Sequence, residues 1–154
     1  MVNNPLSVKP ASAVNPGPTG KPELAGKPEL LVEPVAYLNG QQVPLSQAAV
    51  GIFDVGFIQG VTIAEQLRTF GGKMFRLETH LQRLARSLAI VGINLPHPVA
   101  ELGRIAENLV QHNRQLLAAG DDLVVTMFIT PGMSTAYSVA APHTGPTVCV
   151  HTQP

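Results

Sequence analysis

The sequence is poor in several residue types and patterns, and each of these shortages excludes some classes of protein. Its 154 residues include no tryptophan and a single cysteine, Cys149. A lone cysteine excludes an internal disulfide and favours a reducing compartment. No apolar run approaches the roughly 18 residues of a membrane span, and the N-terminus lacks the charged-then-apolar pattern of a secretory signal. These absences predict a soluble, cytoplasmic protein without a membrane partner.

Charge is scarce as well. Charged residues make up 13% of the chain, and ten acidic residues balance ten basic ones. This balance gives no electrostatic reason to expect a nucleic-acid partner. The five histidines are scattered and no cysteine pair exists, so we expect no metal site. The glycines match neither a P-loop nor a dinucleotide fingerprint, so no nucleotide loop is predicted.

The first part of the chain differs in composition from the rest. Residues 1–34 are rich in proline and glycine, contain no aromatic residue, and carry the sequence GKPEL twice, at 20–24 and 26–30. Proline removes backbone donors and restricts the residue before it. We therefore predict a disordered tail at 1–34 and one domain at 35–154. A docking segment for a partner is the alternative interpretation of the tail.

Hydrophobic periodicity divides the predicted domain into strands and two helices. Helices are predicted over 77–91 and 99–119, and residues 45–60 are predicted to be an irregular connection. The predicted strands, with an Asn39-Gly40 turn between the first two, cover 35–38, 41–44, 61–70, 73–76, 123–130 and 147–152. This order predicts an α+β fold, a mostly antiparallel sheet with two helices packed on it.

A polar stripe lies along the first predicted helix. Arg76, His80, Arg83 and Ser87 follow one another by four, three and four residues, which places them on one side of a helix. Guanidinium groups bind phosphate or carboxylate through paired hydrogen bonds, so the stripe suits an anion. The alternative is an ordinary solvated basic face, with His80 as a half-buried packing residue.

Several motifs, taken together, resemble a known family. They are Tyr37-Leu38-Asn39-Gly40, Asp54-Val55-Gly56-Phe57 with Gly60, Glu65-Gln66-Leu67-Arg68-Thr69, and Phe75-Arg76-Leu77 followed by His80, Arg83-Leu84 and Ser87. In this order and spacing, over about residues 36–153, they resemble the opening half of the class IV aminotransferases. That family includes branched-chain and D-amino-acid aminotransferases and aminodeoxychorismate lyase.

The resemblance implies a cofactor and a residue that binds it. Family members hold pyridoxal 5′-phosphate between two domains, and the arginine of their His-x-x-Arg-Leu motif binds the phosphate. That arginine corresponds to Arg83, while Arg76 and His80 are implied as support for the phosphate site or for backbone groups near it. The resemblance also implies a homodimer that takes an amino acid and a 2-oxo acid as substrates.

Other positions depart from the family pattern and leave the substrate open. Many members carry an aromatic residue where this chain has Gln59 and another where it has Ala64, and both positions border the family's substrate pocket. Branched-chain enzymes often place a carboxylate-binding arginine near Thr126, which cannot supply that charge. A branched-chain amino acid is the expected substrate, and the stereochemistry stays open.

The chain also offers few lysines for the chemistry that the resemblance implies. Transamination needs an amine that binds the cofactor covalently and shuttles a proton. Lys9, Lys21 and Lys27 fall in the predicted tail, and Lys73 lies beside a predicted turn. In the family the lysine belongs to the second half, so we expect an N-terminal domain that ends before it and is inactive alone. There are two alternatives. The parent protein could be an aminodeoxychorismate lyase, or the chain could be a complete non-catalytic binding or assembly module.

Overall fold

The computed structural model describes residues 33–137 and 145–154, which belong to one compact unit. The predicted tail therefore lies outside the described residues, apart from Glu33 and Pro34. The Pro34 carbonyl accepts a hydrogen bond from the Leu45 amide at 2.8 Å. None of the described helices is long and apolar enough to cross a bilayer.

Strands of the described region form a single sheet in the order β2-β1-β6-β5-β3-β4, and each neighbouring pair is antiparallel. Their bounds are β1 Val35–Leu38, β2 Gln41–Pro44, β3 Ile63–Phe70, β4 Lys73–Met74, β5 Val124–Thr130 and β6 Thr147–Gln153. A short helix, α1, precedes β3 at Val55–Gln59, and two long helices, α2 at Leu77–Val91 and α3 at Val99–Asn113, cover one face of the sheet. The α+β prediction, with a mostly antiparallel sheet under two helices, is confirmed.

The β3 strand separates the two faces of the sheet. Its residues alternate between buried and exposed along the whole strand, starting with buried Ile63. A strand points successive side chains to opposite faces, so the buried set faces the helices and the exposed set forms the open face. The strand begins at Ile63, two residues later than predicted, because the preceding residues follow the turn at Gly60, which has a φ of 70°.

The α2 helix has the bounds that the leucine periodicity predicts. Leu81, Leu84 and Leu88 are buried against the sheet. The helix ends where Gly92 adopts a φ of 77°, a left-handed conformation that glycine accepts at little cost. Val91, predicted as the last residue of the apolar stripe, is instead 46% exposed, because the helix end turns it away from the core.

Three further sequence predictions about secondary structure are wrong. The second long helix ends at Asn113 rather than at 119. A short 3-10 turn follows, and the chain becomes extended at Leu117. The buried Asn113 amide at the helix end bonds to Val35 and to the Thr152 hydroxyl on the sheet. The strand at 73–76 stops at Met74, since Arg76 has a φ of 52°. The connection at 45–60 contains a 3-10 turn at Leu45–Gln47 and the helix α1.

The core lies between the helix-covered face of the sheet and the two long helices. Its fully buried large side chains include Leu84 and Leu102 from the helices and Val125, Met127 and Ile129 from β5. Burying side chains of this kind contributes about 1.5–3 kcal/mol each, so this layer holds α2 firmly on β3.

Candidate functional site

A buried carboxylate interrupts the apolar, helix-covered face of β3. Glu65 is 3% exposed, although Ile63 and Leu67 on either side of it belong to the core. Its Oε1 accepts a hydrogen bond from Arg83 Nε at 2.6 Å, and its Oε2 accepts one from Arg83 Nη2 at 2.6 Å. His80 Nδ1 lies 2.9 Å from the same Oε2. Two residues predicted from the helix stripe therefore meet at one carboxylate.

Periodicity on both elements explains this meeting. The two-residue period of β3 turns Glu65 towards α2, and residues three apart on α2 lie on one side of that helix. The buried Leu81 and Leu84 follow His80 and Arg83 in the sequence and hold this side of α2 on the sheet. A carboxylate is rarely buried without partners, and here the helix supplies them.

The hydrogen bonds keep Glu65 ionised. Burial raises the pKa of the Glu65 carboxyl, but the bonds from Arg83 and His80 outweigh this effect, so the pKa lies below its ordinary value. The same bonds raise the pKa of the Arg83 guanidinium above its ordinary value. The side chain of Arg83 nevertheless remains 59% exposed, so the cluster presents a fixed cation to solvent.

The remaining members of the predicted stripe lie elsewhere. Arg76 is the residue before α2 and is exposed, with its guanidinium carbon 5.1 Å from the centre of the Phe75 ring. Ser87 is half-buried, and its hydroxyl makes no hydrogen bond to the described residues. The structure thus brings His80 and Arg83 together at Glu65 and places Arg76 over an aromatic ring.

Two of the positions predicted to border a substrate pocket, Ala64 and Thr126, lie on the open face of the sheet. Ala64 pairs with Phe128, and Thr126 lies between Gln66 and His151 in the strand register. The Gln66 amide Nε2 donates to Thr126 Oγ1 at 3.3 Å. Gln59 is the exposed last residue of α1.

Arg83 and the predicted pocket residues Ala64 and Thr126 therefore lie on opposite faces of the sheet. Along 63–68 this strand pairs with β5 on one side, and its β4 partner covers only Thr69 and Phe70. Within the described residues the other side of 63–68 carries no strand.

Sequence reasoning missed Glu65 as a site residue. It was noted only as part of a motif, although the signal was present. A glutamate at the centre of an alternating apolar pattern, between Ile63 and Leu67, falls at a core position, where an ionised group needs a partner.

The only lysine among the described residues is separate from this cluster. Lys73 lines a depression of about 430 Å³ together with Met74, Leu77 and Arg114. His80 borders a different depression of about 340 Å³, with Arg68 and Phe75. Across the described ranges, no three histidine, cysteine or acidic side chains are grouped to hold a metal ion.

Comparisons with known proteins agree with the fold and the motifs. The family model "Amino-transferase class IV" matches residues 62–154. A D-alanine aminotransferase of Staphylococcus aureus (strain N315) is 36% identical over 78 residues, which are 51% of this chain and 28% of that protein. A probable branched-chain-amino-acid aminotransferase of Rickettsia typhi is 28% identical over 121 residues, which are 73% of this chain and 41% of that protein.

A solved structure supports the same fold. A hypothetical aminotransferase from Mycobacterium tuberculosis, in a form with alpha-ketoglutarate and PMP bound, superposes with a TM-score of 0.63 and 20% identity, over 78% of this chain and 39% of that chain. The chain thus spans less than half the length of these curated relatives and of this structure.

Proposed function

The chain belongs to the class IV aminotransferase family, and from this premise we propose that it forms the phosphate-binding arm of a pyridoxal 5′-phosphate enzyme. The observation that carries the proposal is the Arg83 guanidinium, fixed by a buried carboxylate and still more than half exposed. The donor set fits a phosphate group, because a planar guanidinium offers paired N–H donors to phosphate oxygens.

When bound, the cofactor supplies an electron sink for the amino acid's α-carbon. The residues of this chain bind and orient. Arg83 holds the phosphate, and His80 supports it through the shared Glu65 carboxylate. Ala64 and Thr126, on the open face, and Gln59, at the end of α1, border the substrate.

For the reaction, we propose transfer of an amino group from an amino acid to a 2-oxo acid, with a branched-chain amino acid as substrate. The relative from Rickettsia typhi, which aligns over 121 residues, supports this substrate class. D-Alanine is the second candidate, because the Staphylococcus aureus relative is more identical over its shorter match and Thr126 offers no carboxylate-binding charge.

We further propose that the amine for this chemistry comes from outside the chain and that the active assembly is a homodimer. The exposed Lys73 lies in a depression that shares no residue with the one beside His80. We therefore expect the chain alone to show no transaminase turnover with branched-chain amino acids or D-alanine and 2-oxoglutarate. Turnover by the purified chain would contradict this part of the proposal. Release of pyruvate from aminodeoxychorismate by a longer protein that contains the chain would favour the lyase alternative.

The phosphate-binding role can be tested on the chain itself. Pyridoxamine 5′-phosphate and pyridoxamine differ only in the phosphate, and neither forms a Schiff base with surface lysines. We expect the wild-type chain to bind the phosphorylated compound more tightly in a titration followed by NMR. The Arg83→Ala variant should abolish the difference, whereas Arg86→Ala, a change of the same kind at an exposed position on the same helix, should preserve it. Equal binding of both compounds to the wild type would refute the role.

A further inference from the structure

The contact between Glu65 and Arg83 uses only part of the guanidinium. Arginine has five N–H donors in a fixed plane. Glu65 occupies the side formed by Nε and Nη2, with both bonds at 2.6 Å. The end of the group, where Nη1 and the second hydrogen of Nη2 form another pair, remains unused by Glu65. This end can bind two oxygens of an anion while the side-on bonds persist.

We propose that Glu65 is the positioning residue of the anion site and that it acts through Arg83 without touching the ligand. The inference rests on the proposed phosphate-binding role of Arg83. Holding a long side chain in one orientation before the ligand arrives removes part of the entropic cost of binding. Glu65 is itself held, since it is 3% exposed and is bonded by side chains from two positions on α2.

Two effects of the carboxylate on an anion oppose each other. Glu65 aligns the unused donor pair of Arg83, which favours binding, and its negative charge repels the anion, which disfavours binding. The repulsion acts across a side chain that is 59% exposed, so solvent and salt screen it. Alignment by direct hydrogen bonds inside the protein is not screened in this way. At physiological ionic strength we therefore expect alignment to dominate.

A purely structural ion pair is the competing interpretation, in which Glu65 only ties α2 to β3. The two interpretations differ in what the Glu65→Gln variant does to a folded protein. Glutamine has nearly the same shape and keeps one acceptor oxygen, but it cannot accept both Arg83 bonds. If Glu65 positions Arg83, anion affinity falls although α2 remains in place. If the pair is only structural, stability falls and anion affinity does not.

The matched control is Glu78→Gln. Glu78 is an exposed carboxylate on α2 that accepts a hydrogen bond from Gln82 at 3.0 Å, so the variant removes the same charge without changing the Glu65–Arg83 contact. Inorganic phosphate is the probe, titrated into the isotope-labelled full chain at about 0.15 M salt. The readouts are the dissociation constant, the Arg83 Nε–H resonance and the α2 amide resonances.

We expect the wild type and Glu78→Gln to bind phosphate equally and Glu65→Gln to bind it roughly tenfold more weakly, the order expected for loss of one charge-assisted bond. The Arg83 Nε–H resonance of Glu65→Gln should also move to the position of a free arginine. Phosphate affinity in Glu65→Gln that equals or exceeds the wild-type value would overturn the positioning role. If Glu65→Gln binds phosphate more tightly than the wild type and this gain decreases as salt is raised, the reason is relief of the repulsion between Glu65 and the phosphate.

Two further variants keep the outcomes distinct. If Glu65→Gln loses its α2 amide resonances, Glu65→Asp replaces it, because it keeps the charge but withdraws the carboxylate by one methylene. Weaker phosphate binding in Glu65→Asp supports positioning, and wild-type affinity overturns it. Unchanged binding in Arg83→Ala would defeat the proposed function itself. Binding lost in Arg83→Ala but kept in the Glu65 variants would defeat the positioning role alone.

Discussion

Two buried carboxylates in this domain invite comparison. Asp54 is 2% exposed and Glu65 is 3% exposed, and both have their oxygens hydrogen-bonded. The Asp54 carboxylate accepts from the Gly56 amide at 2.7 Å and from the Thr147 hydroxyl at 2.6 Å. Glu65 accepts from two side chains of α2, one of which is largely exposed. The donors to Asp54 are neutral and buried or half-buried, whereas one donor to Glu65 is a largely exposed cation.

The comparison shows that two carboxylates with similar burial can have different roles. Asp54 caps the short helix α1 and ties it to the start of β6, using donors that are neutral and offer no positive charge to an anion. Glu65 engages a cation whose side chain is 59% exposed. The exposure of a buried group's partners, more than its own burial, separates a structural carboxylate from a candidate functional one.

The largest effect that tests this comparison is expected at Asp54. Replacing Asp54 with alanine leaves the Gly56 amide and the buried Thr147 hydroxyl without their acceptor, which should lower the free energy of unfolding by about 2–4 kcal/mol. Phosphate affinity should not change. Chemical denaturation and a phosphate titration measure both quantities, with the exposed Asp121→Ala as control. Weakened phosphate binding in a folded Asp54→Ala protein would show that Asp54 also supports the anion site, which contradicts the assignment of a purely structural role to Asp54.

A smaller loss of stability is expected from a substitution at Gly56, where the Thr130 and Asp54 side chains leave no space for a methyl group. A methyl group there would overlap the Thr130 side chain and approach the Asp54 carboxylate within 2.9 Å. Gly56→Ala should therefore lower the free energy of unfolding by about 1–3 kcal/mol, the usual cost of overpacking. Thermal melting compares it with Gly51→Ala, where an added methyl group meets nothing within 4 Å. Equal melting temperatures would show that the Asp54 cluster is looser than its geometry implies.

At Glu65 the expected loss of stability is smaller still. Glu65→Gln breaks a pair in which Arg83 can turn to solvent, so no buried cation is left behind. We expect the free energy of unfolding at neutral pH to fall by about 1 kcal/mol, well below the effect at Asp54. Denaturant titration at neutral pH measures the difference. A loss as large as that of Asp54→Ala would place Glu65 in the same structural class.

The smallest effect is a pH dependence that belongs to Glu65. Its pKa in the folded protein lies below the ordinary value of 4.5, so its contribution to stability is present above about pH 4.5 and is lost as the pH falls through the folded value. The stability difference between wild type and Glu65→Gln should therefore shrink in acid. The Asp122 carboxyl also has a lowered pKa, through bonds from the Thr69 hydroxyl and the Gly72 amide, but it is common to both proteins. A difference that stays constant with pH would refute the linkage.

Local patterns were sufficient for much of the fold. The leucine spacing and Gly92 predicted α2 to the residue, and Asn39-Gly40 predicted the first hairpin, with both residues at positive φ. The stripe on α2 placed His80 and Arg83 on one side of the helix, because i and i+3 neighbours share a helix side, and the structure shows both side chains at Glu65. Whether Arg83 binds a phosphate stays a prediction that the phosphate titrations decide.

Local sequence patterns did not predict the features that depend on contacts between residues far apart in the chain. The apolar positions after 113 continue the helical period, yet α3 ends at Asn113, whose side chain bonds to Val35, 78 residues away. The same limit explains why Glu65 was missed as a partner, since it lies 15 and 18 residues from His80 and Arg83. Contacts of this kind depend on how α2 packs over β3, which no short window of sequence contains.

The sequence by itself determined which residues alternate or repeat, and hence that α2 carries a basic side and β3 an inward glutamate. It also determined the family, since the motifs occur in order along one chain. Only the tertiary structure decided that these two features meet, that Arg76 lies over the Phe75 ring, and that Glu65 uses one side of the Arg83 guanidinium. Periodicity is a property of one element, whereas a hydrogen bond between elements requires the distance and angle that packing alone provides.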